Sequence, residues 1–393
     1  MSRAGLKVVS LIPGCGYGDA AAEYVAGFHQ ASINVNWFPT RDNSADLLSE
    51  AAATRDLQSG VREIVAPLWN RRVEHDALLV QVPPWRWHQY WLDVEPQQRH
   101  YCYVAWEVET LPLEWVDVFN RYRRVFVPSA FNRQSFIAGG VRVPVDVVPH
   151  IARNVGDLDD GATWGDVDKH DFVFYTIGAW TARKAMEDLV CAYLDAFTAD
   201  DPVVLVIKTD AINQVARHSM SADMLNGPDA HRAMTWFALA GIVSQFPNPA
   251  RIHLVADSLR PAAIDRIHVR GDCFVSLARS EGWGLGAYDA LLFGNPVVMT
   301  DWGGQRDFLG SDYPYAINYE LRPTSASPDD GYYLRDDNVY WAHADRAHAS
   351  VLMREVFDKQ KIARECATTM AATLREKFSR DRVTSQLVQL MEL

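Results

Sequence analysis

The chain has 393 residues, 48% of them hydrophobic and 22% charged, with a formal net charge of −12. That length suits two domains of roughly 150 to 200 residues, each large enough for its own core. The negative balance argues against nucleic acid as a partner, because binding a phosphate backbone needs a basic surface, and no apolar run approaches the ~20 residues that span a bilayer. Five scattered cysteines, Cys15, Cys102, Cys191, Cys273 and Cys366, fall in no metal-like spacing, and the first residues have no long apolar core of a signal peptide; a reducing cytosol is the expectation.

In chain order, Leu6 to Ile12 predicts a strand, Pro13-Gly14-Cys15-Gly16-Tyr17-Gly18 a glycine-rich loop, and Ala20 to Ala31 a helix. The loop looks like part of a dinucleotide-binding fingerprint. The acid expected about 20 residues further on is missing, since Val35 to Phe38 runs straight into Pro39-Thr40. Further strands are expected over Ala77 to Val82 and Cys102 to Trp106. In a doubly wound sheet both strands deliver the residues after them to the C-terminal edge, so His88, Glu107 and Glu109 become candidates for contacting a ligand. His88 reads equally as a surface residue among aromatics. The cluster Trp85-Arg86-Trp87 with Trp91, together with Arg121, Arg123 and Arg124, suits peripheral contact with a membrane surface as well as ordinary packing. Arg124 to Val127 and the run from Val145 to Pro149 are expected to close the first domain, with Ser129 capping the helix between them.

From Ile151 to Lys169 the periodic pattern breaks, with Gly156, Asp157, Asp159, Asp160 and Gly161 reading as an interdomain linker. The second domain opens with a strand, Phe172 to Ile177, then Gly178 to Lys184, then the amphipathic helix Met186 to Phe197. Arg183 and Lys184 stand at a strand-to-helix turn, where cations are unfavourable unless an anion accompanies them; there they can meet a diphosphate. Val203 to Ile207 is the next strand, and Lys208 at its exit is a further candidate for facing an anionic ligand. Residues 211 to 245 read as a polar helical insertion or lid, and Ile252 to Ala256 and Ile264 to Arg270 lead into the most informative stretch.

That stretch, Asp272 to Phe308, reads D-C-F-V-S-L-A-R-S-E-G-W-G-L-G-A-Y-D-A-L-L-F-G-N-P-V-V-M-T-D-W-G-G-Q-R-D-F. It predicts strand, glycine-rich loop, helix (Ala287 to Phe293) and second strand (Val297 to Met299), a βαβ unit whose two loops leave the same side of a parallel sheet. Gly282, Gly284 and Gly286 let backbone approach a ligand, and the helix start offers N–H groups to an anion. Glu281 and Asp289 frame the loop with carboxylates, and Gly303-Gly304 opens a second N–H-rich loop. The plain alternative is that the glycines serve only the turn and the acids only the helix dipole. The chain ends in helical patterns over Asp345 to Phe357, Lys361 to Phe378 and Asp381 to Met391.

The string S-E-G-W-G-L-G-A-Y-D-A-L-L-F-G-N-P-V-V, followed by G-G-Q-R-D, resembles the donor-binding signature of retaining family 4 glycosyltransferases, usually Glu-x7-Glu with a small helix and G-x-P-V; V-P-S-x-F-N and V-P-H add to the likeness. Here the second acid is Asp289, and the family's G-R-x4-K-G becomes Gly178-Ala179 with Arg183 beside Lys184. The resemblance implies an α/β chain of the GT-B fold, two Rossmann-like domains facing an interdomain cleft with the C-terminal helices crossing back to the first. On that basis the expected boundaries are 1–155 for an acceptor-side domain, 156–170 for a linker, 171–365 for a nucleotide-sugar domain and 366–393 for the returning helices.

The resemblance also implies transfer, with retention, of a sugar from a nucleotide-diphosphate sugar to a saccharide or lipid-linked acceptor in polysaccharide or glycoconjugate synthesis, in the cytoplasm or at the inner face of the membrane. Catalytic roles fall to Glu281, Arg183, Lys184 and Glu107, the last in a region where many relatives place a cleft histidine. Donor binding falls to Gly16, Gly178, Lys208, Gly282, Trp283, Gly284, Leu285, Gly286, Asp289, Gly303 and Gly304, and the acceptor side to His88 and Glu109. With Arg183 and Lys184 as the diphosphate's counter-charges, neither a metal nor another cofactor is required. A same-fold epimerase or phosphorylase, or a nucleotide-sugar-binding protein without catalysis, stays open beside this reading.

Overall fold

A computed structural model describes residues 5–41, 44–155, 161–215, 228–328 and 336–393. Most of the linker's glycines and acids (156–160), residues 216–227 of the polar insertion and residues 329–335 lie outside the described residues. The chain divides into two compact units. One comprises residues 1–154, 260–262 and 374–393, the other 155–259 and 263–373.

The first unit is built on a seven-stranded sheet of β1 (Gly5–Leu11), β2 (Asn34–Arg41), β3 (Ser44–Leu47), β4 (Ala77–Gln81), β5 (Arg99–Tyr103), β6 (Arg124–Val127) and β7 (Val145–Val147), in the order β3-β2-β1-β4-β5-β6-β7. All pairs are parallel except β2 with β3. Every residue of β1 and β4 is buried, which is why both read as unbroken apolar runs: a parallel strand is covered on both faces. The chain winds outward from β1 to β2 and then returns to β4 on β1's other side. The boundary between β1 and β4 is therefore the switch point at which loops diverge at the C-terminal edge.

Two expectations shift here. The helix expected from Ala20 begins at Gly16 and runs to Gln30, so Gly16 lies in its first turn. The strand expected over Cys102 to Trp106 ends at Tyr103, because side chains take over the next backbone groups. The Tyr17 hydroxyl accepts from Ala105 N–H at 2.9 Å and donates to its carbonyl at 2.6 Å, and the Asn132 amide brackets Trp106 N–H (2.9 Å) and C=O (2.8 Å). Side-chain partners of this kind satisfy peptide groups as a neighbouring strand would, and release the chain from the sheet. Short helices at Glu50–Thr54, Ser59–Val65, His88–Val94 and Leu113–Phe119 were not legible as such. Ser129 caps the helix Ala130–Ala138 as expected, accepting from Asn132 N–H at 3.2 Å.

The second unit holds a six-stranded, wholly parallel sheet: β8 (Phe172–Ile177), β9 (Val203–Thr209), β10 (Arg251–Ala256), β11 (Cys273–Ser276), β12 (Val297–Thr300) and β13 (Ala316–Ile317), ordered β10-β9-β8-β11-β12-β13. The chain travels from β8 to β10 in one direction and from β11 to β13 in the other, so the switch point is between β8 and β11. A separate antiparallel ribbon, β14 (Tyr319–Pro323) with β15 (Tyr340–Ala344), ties back through Ala342 N–H to the Arg279 carbonyl at 2.9 Å. Among the described residues, no helix is long and apolar enough to cross a membrane.

The last helix, Arg380–Met391, belongs to the first unit and packs on Gly16–Gln30. Arg380 pairs with Glu23 at 2.6 Å, and the carbonyl of Met391 accepts from Tyr101 Oη–H and Arg99 Nη1–H. The helices touch at Gly27, where a Cβ would overlap the Thr384 hydroxyl. Gly27→Ala should therefore lower stability by about 1–3 kcal/mol despite alanine's better helix propensity. In thermal or urea unfolding, Gly27→Ala with Thr384→Ala should recover most of that loss; equal stability of Gly27→Ala and the parent would contradict the packing.

Candidate functional site

The loops that leave β8 and β11 meet at the second unit's switch point. Arg183 and Lys184 come from the first and Glu281 from the second. The Glu281 carboxylate lies between the two cations: Oε2 is 3.0 Å from Arg183 Nη1, and Oε1 pairs with Lys184 Nζ. All three side chains are largely buried, at 12%, 23% and 9% exposure for Arg183, Lys184 and Glu281. Burial alone would raise the Glu281 carboxyl. Lys184 first and then Arg183, as charges and as hydrogen-bond donors, outweigh it and hold the group below the ordinary glutamate range.

Arg279, unremarked in the sequence, fastens the loops to each other. It lies buried, its Nη1 bonds the Ala182 carbonyl, and its Nη2 meets Asp188 at 2.9 Å. Backbone bonds run the same way: Arg279 N–H to Arg183 O at 2.8 Å, and Arg183 Nη1 to Ser280 O at 2.7 Å. An arginine within the apolar run S-L-A-R was the available signal, because a cation at the exit of a buried strand needs partners.

Both loops are held in unusual backbone conformations. Ala185 has φ +49° just before the helix Met186–Ala196, and Gly284 has φ +92° just before the helix Leu285–Leu292. A left-handed alanine costs about 1–3 kcal/mol, and such residues cluster where a loop is shaped for a ligand. Gly178 lies beside Lys184, and Gly286 stands against the Ile177 carbonyl at the end of β8. The loop after β12 closes on the same place: Gly304 N–H donates to Glu281 O at 2.8 Å, and Gly303 has φ +108°. A Cβ on Gly303 would come 2.8 Å from that carbonyl and 2.9 Å from Gln305 Oε1.

Three oxygens around this junction, Ser280 Oγ, Thr300 Oγ1 and Gln305 Oε1, are buried without a hydrogen-bond partner in the protein. An unpartnered buried polar atom costs about 1–3 kcal/mol. The arrangement offers two cations, a carboxylate that orders them, and the first N–H groups of an eight-residue helix, a complement for a compact polyanion.

Other expected donor residues are placed differently. Gly282 is buried in the loop, Leu285 is half-buried at the start of the helix Leu285–Leu292, and Asp289 is half-buried on its second turn. Trp283 does not present its ring as a binding face: it is 3% exposed, packed on Tyr288 and Phe308 with centroids 5.3 and 5.2 Å away. Lys208 lies within β9, not at its exit, because the pairing with β8 and β10 runs through it, and its Nζ is 3.6 Å from Asp210.

In the first unit, the structure corrects His88 from an acceptor contact to a core histidine. Its Nε2 meets the Val82 carbonyl at 3.2 Å and its Nδ1 the Tyr122 hydroxyl at 2.9 Å, and burial pushes its pKa down to about 4. Since the Val82 carbonyl only accepts, the proton resides on Nε2 and Tyr122 donates to Nδ1. Gly16 is exposed at the start of its helix, Glu107 is half-buried and Glu109 exposed in the loop after β5.

No family model matches the chain, and no curated protein matches it. Solved structures do. Anabaena HepE in complex with UDP and glucose shares 11% identity at a TM-score of 0.62, covering 99% of this chain and 100% of its own. Sucrose-phosphate synthase from Thermosynechococcus elongatus shares 13% at 0.64, covering 99% and 98%. A trehalose-6-phosphate protein from E. coli bound with UDP-2-fluoro glucose shares 9% at 0.66, covering 99% of each. At such identities the likeness shows the fold, and that fold is GT-B.

Gly303→Ala should cost about 3 kcal/mol or more, since it combines a left-handed backbone with overlap onto a carbonyl; chemical denaturation measures it, and a loss below 1 kcal/mol would contradict the threading of the two loops. Glu281→Gln should lose about 2–4 kcal/mol at pH 7, because it leaves two buried cations without their counter-charge. The folded-state carboxyl is depressed, so its contribution is full above the unfolded value of about 4.3 and fades as pH falls through the lower folded value. The stability gap between the parent and Glu281→Gln should accordingly narrow below about pH 4. A gap independent of pH would contradict an ionised Glu281.

Proposed function

We propose that the protein is a retaining glycosyltransferase of the family 4 kind, which moves a sugar from a nucleoside-diphosphate sugar to a saccharide or lipid-linked acceptor. The observation that carries this reading is the buried Arg183–Lys184–Glu281 triad at the β8/β11 switch point, with an excess of one positive charge and a helix N-terminus beside it. The GT-B neighbours solved with UDP and glucose, or with UDP-2-fluoro glucose, support the same donor class.

Departure of the nucleoside diphosphate builds negative charge on the phosphate oxygens, and fixed donors aimed at that charge lower the barrier without reorganising. Arg183, Lys184 and the N–H groups from Leu285 onward take that part, with Gly178, Gly303 and Gly304 shaping the loops around the phosphates. These cations supply the counter-charge without a divalent metal. Glu281 orders the cations and retains lone pairs for donor-sugar hydroxyls, and Asp289 is assigned the ribose. Gly16 is kept on the donor side, and the acceptor is assigned to Glu107 and Glu109, in the loop after β5. Retention follows if the acceptor attacks on the face from which the diphosphate leaves.

Incubation with UDP-, GDP-, ADP- and dTDP-sugars and a saccharide mixture should give acceptor-dependent release of one nucleoside diphosphate. Glu281→Gln should lower that turnover by about 100-fold or more while the protein remains folded. A fully active Glu281→Gln would remove Glu281 from the mechanism. Turnover without acceptor, or only with inorganic phosphate, would replace the transferase by an epimerase or a phosphorylase, and binding with no turnover of any donor would leave a nucleotide-sugar-binding protein.

A further inference from the structure

The exits of β4 and β5 carry a group of side chains that the transfer chemistry leaves unused. Three indoles converge there: Trp85 from the loop after β4, Trp106 from the loop after β5, and Trp115 from the helix Leu113–Phe119. Ring centroids are 6.1 Å apart for Trp85 and Trp106, 6.1 Å for Trp85 and Trp115, and 4.9 Å for Trp106 and Trp115. Trp106 is a buried foundation, its Nε1 donating to the Thr110 carbonyl at 2.7 Å, whereas Trp85 stands 37% exposed.

The loop that carries Trp85 is stiff. Pro83 and Pro84 precede it, Arg86 N–H returns to the Pro83 carbonyl at 3.0 Å, and Trp87 is held at φ +49°. A bulky residue in the left-handed region is strained, and strain of this kind collects at ligand sites. The ring is thus presented to water by a loop that need not be ordered on binding, at a strand that borders the sheet's switch point.

Arg86 adjoins Trp85 in sequence, and an acidic segment adjoins the other two indoles. Residues 107–117 contain Glu107, Glu109, Glu114 and Asp117 and no lysine or arginine. That segment is repelled by an anionic bilayer, which attracts basic segments. It suits a neutral, hydroxyl-rich ligand, since ionised carboxylates are hydrogen-bond acceptors and an indole face takes the C–H side of a sugar ring.

We propose that Trp85, seated on Trp106 and Trp115, is a stacking platform for a pyranose ring, with the carboxylates of the adjoining 107–117 segment receiving its hydroxyls. That this ring belongs to the acceptor rests on the transferase reading, while the saccharide contact itself needs no donor. The test is tryptophan fluorescence of the full chain without nucleotide, titrated with methyl hexopyranosides, with neutral gluco- and manno-oligosaccharides, and with vesicles of phosphatidylcholine and phosphatidylglycerol.

At least one saccharide should give saturable quenching. Trp85→Ala should weaken that binding about tenfold or more, and Trp85→Phe, which keeps an aromatic face, by no more than about threefold. Circular dichroism and nucleoside-diphosphate binding of both variants should match the parent. Saccharide binding with no nucleoside-diphosphate binding in the parent would sink the transferase reading and leave the platform. The platform is overturned if no saccharide quenches, if Trp85→Ala binds as the parent does, or if only vesicles bind.

Discussion

A carboxylate held between two cations at the switch point is the constraint on which the second unit depends. Glu281 enters from the exit of β11, Arg183 and Lys184 from the exit of β8, and neither loop could bury its charges without the other. Arg279 repeats the logic one step back along the chain, with Ala182 and Asp188 as partners. The positive-φ residues Ala185, Gly284 and Gly303 follow from it, since each bends the backbone where a loop must turn toward its neighbour. Ion pairing therefore shapes the site as well as charging it. The same carboxylate that organises the cations also neutralises one of them, so a bound diphosphate would meet one surplus charge and the helix amides.

The two units obey one topological rule to different ends. In each, the chain reverses its direction across a parallel sheet, at β1/β4 in the first and at β8/β11 in the second, and loops with functional character leave there. The second unit fills that place with cations and glycines. In the first a glycine-rich turn leaves β1 and two prolines with Trp85 leave β4, and Trp85 packs on Trp106 and Trp115 from the segment after β5. In the proposed transferase the second unit would take the polyanion and the first unit the hydroxyl-rich ring.

Much of this was legible because buried parallel strands are apolar along their whole length. Phe172–Ile177 was expected to the residue, and β1, β4, β6 and β12 to within a residue at either end. Glu281, Arg183 and Lys184 were singled out by charge at a strand exit, and the structure brings all three together. What escaped was side-chain direction. His88 comes after a strand exit in sequence, yet its ring turns inward because the Val82 carbonyl and Tyr122 hydroxyl together satisfy both nitrogens. Trp283 sits in the middle of the glycine loop, yet Tyr288 and Phe308 beneath it make burial the better outcome. Lys208 looked like the end of a strand because the apolar run stops there, but ladder pairing continues through polar residues. The end of β5 was invisible for a related reason, since Tyr17 and Asn132 capture backbone groups from distant parts of the sequence.

Recognition of a diphosphate at the Arg183–Lys184–Glu281 junction, as proposed, is open to direct measurement. Calorimetric titration of the protein with UDP, GDP, ADP and dTDP, each beside its parent nucleoside, isolates what the two phosphates contribute. One diphosphate should bind at least about 100-fold more tightly than its nucleoside, roughly 2.7 kcal/mol, and Arg183→Met with Lys184→Met should remove most of that difference. Equal affinity for nucleoside and diphosphate, or a difference that survives the double substitution, would contradict it.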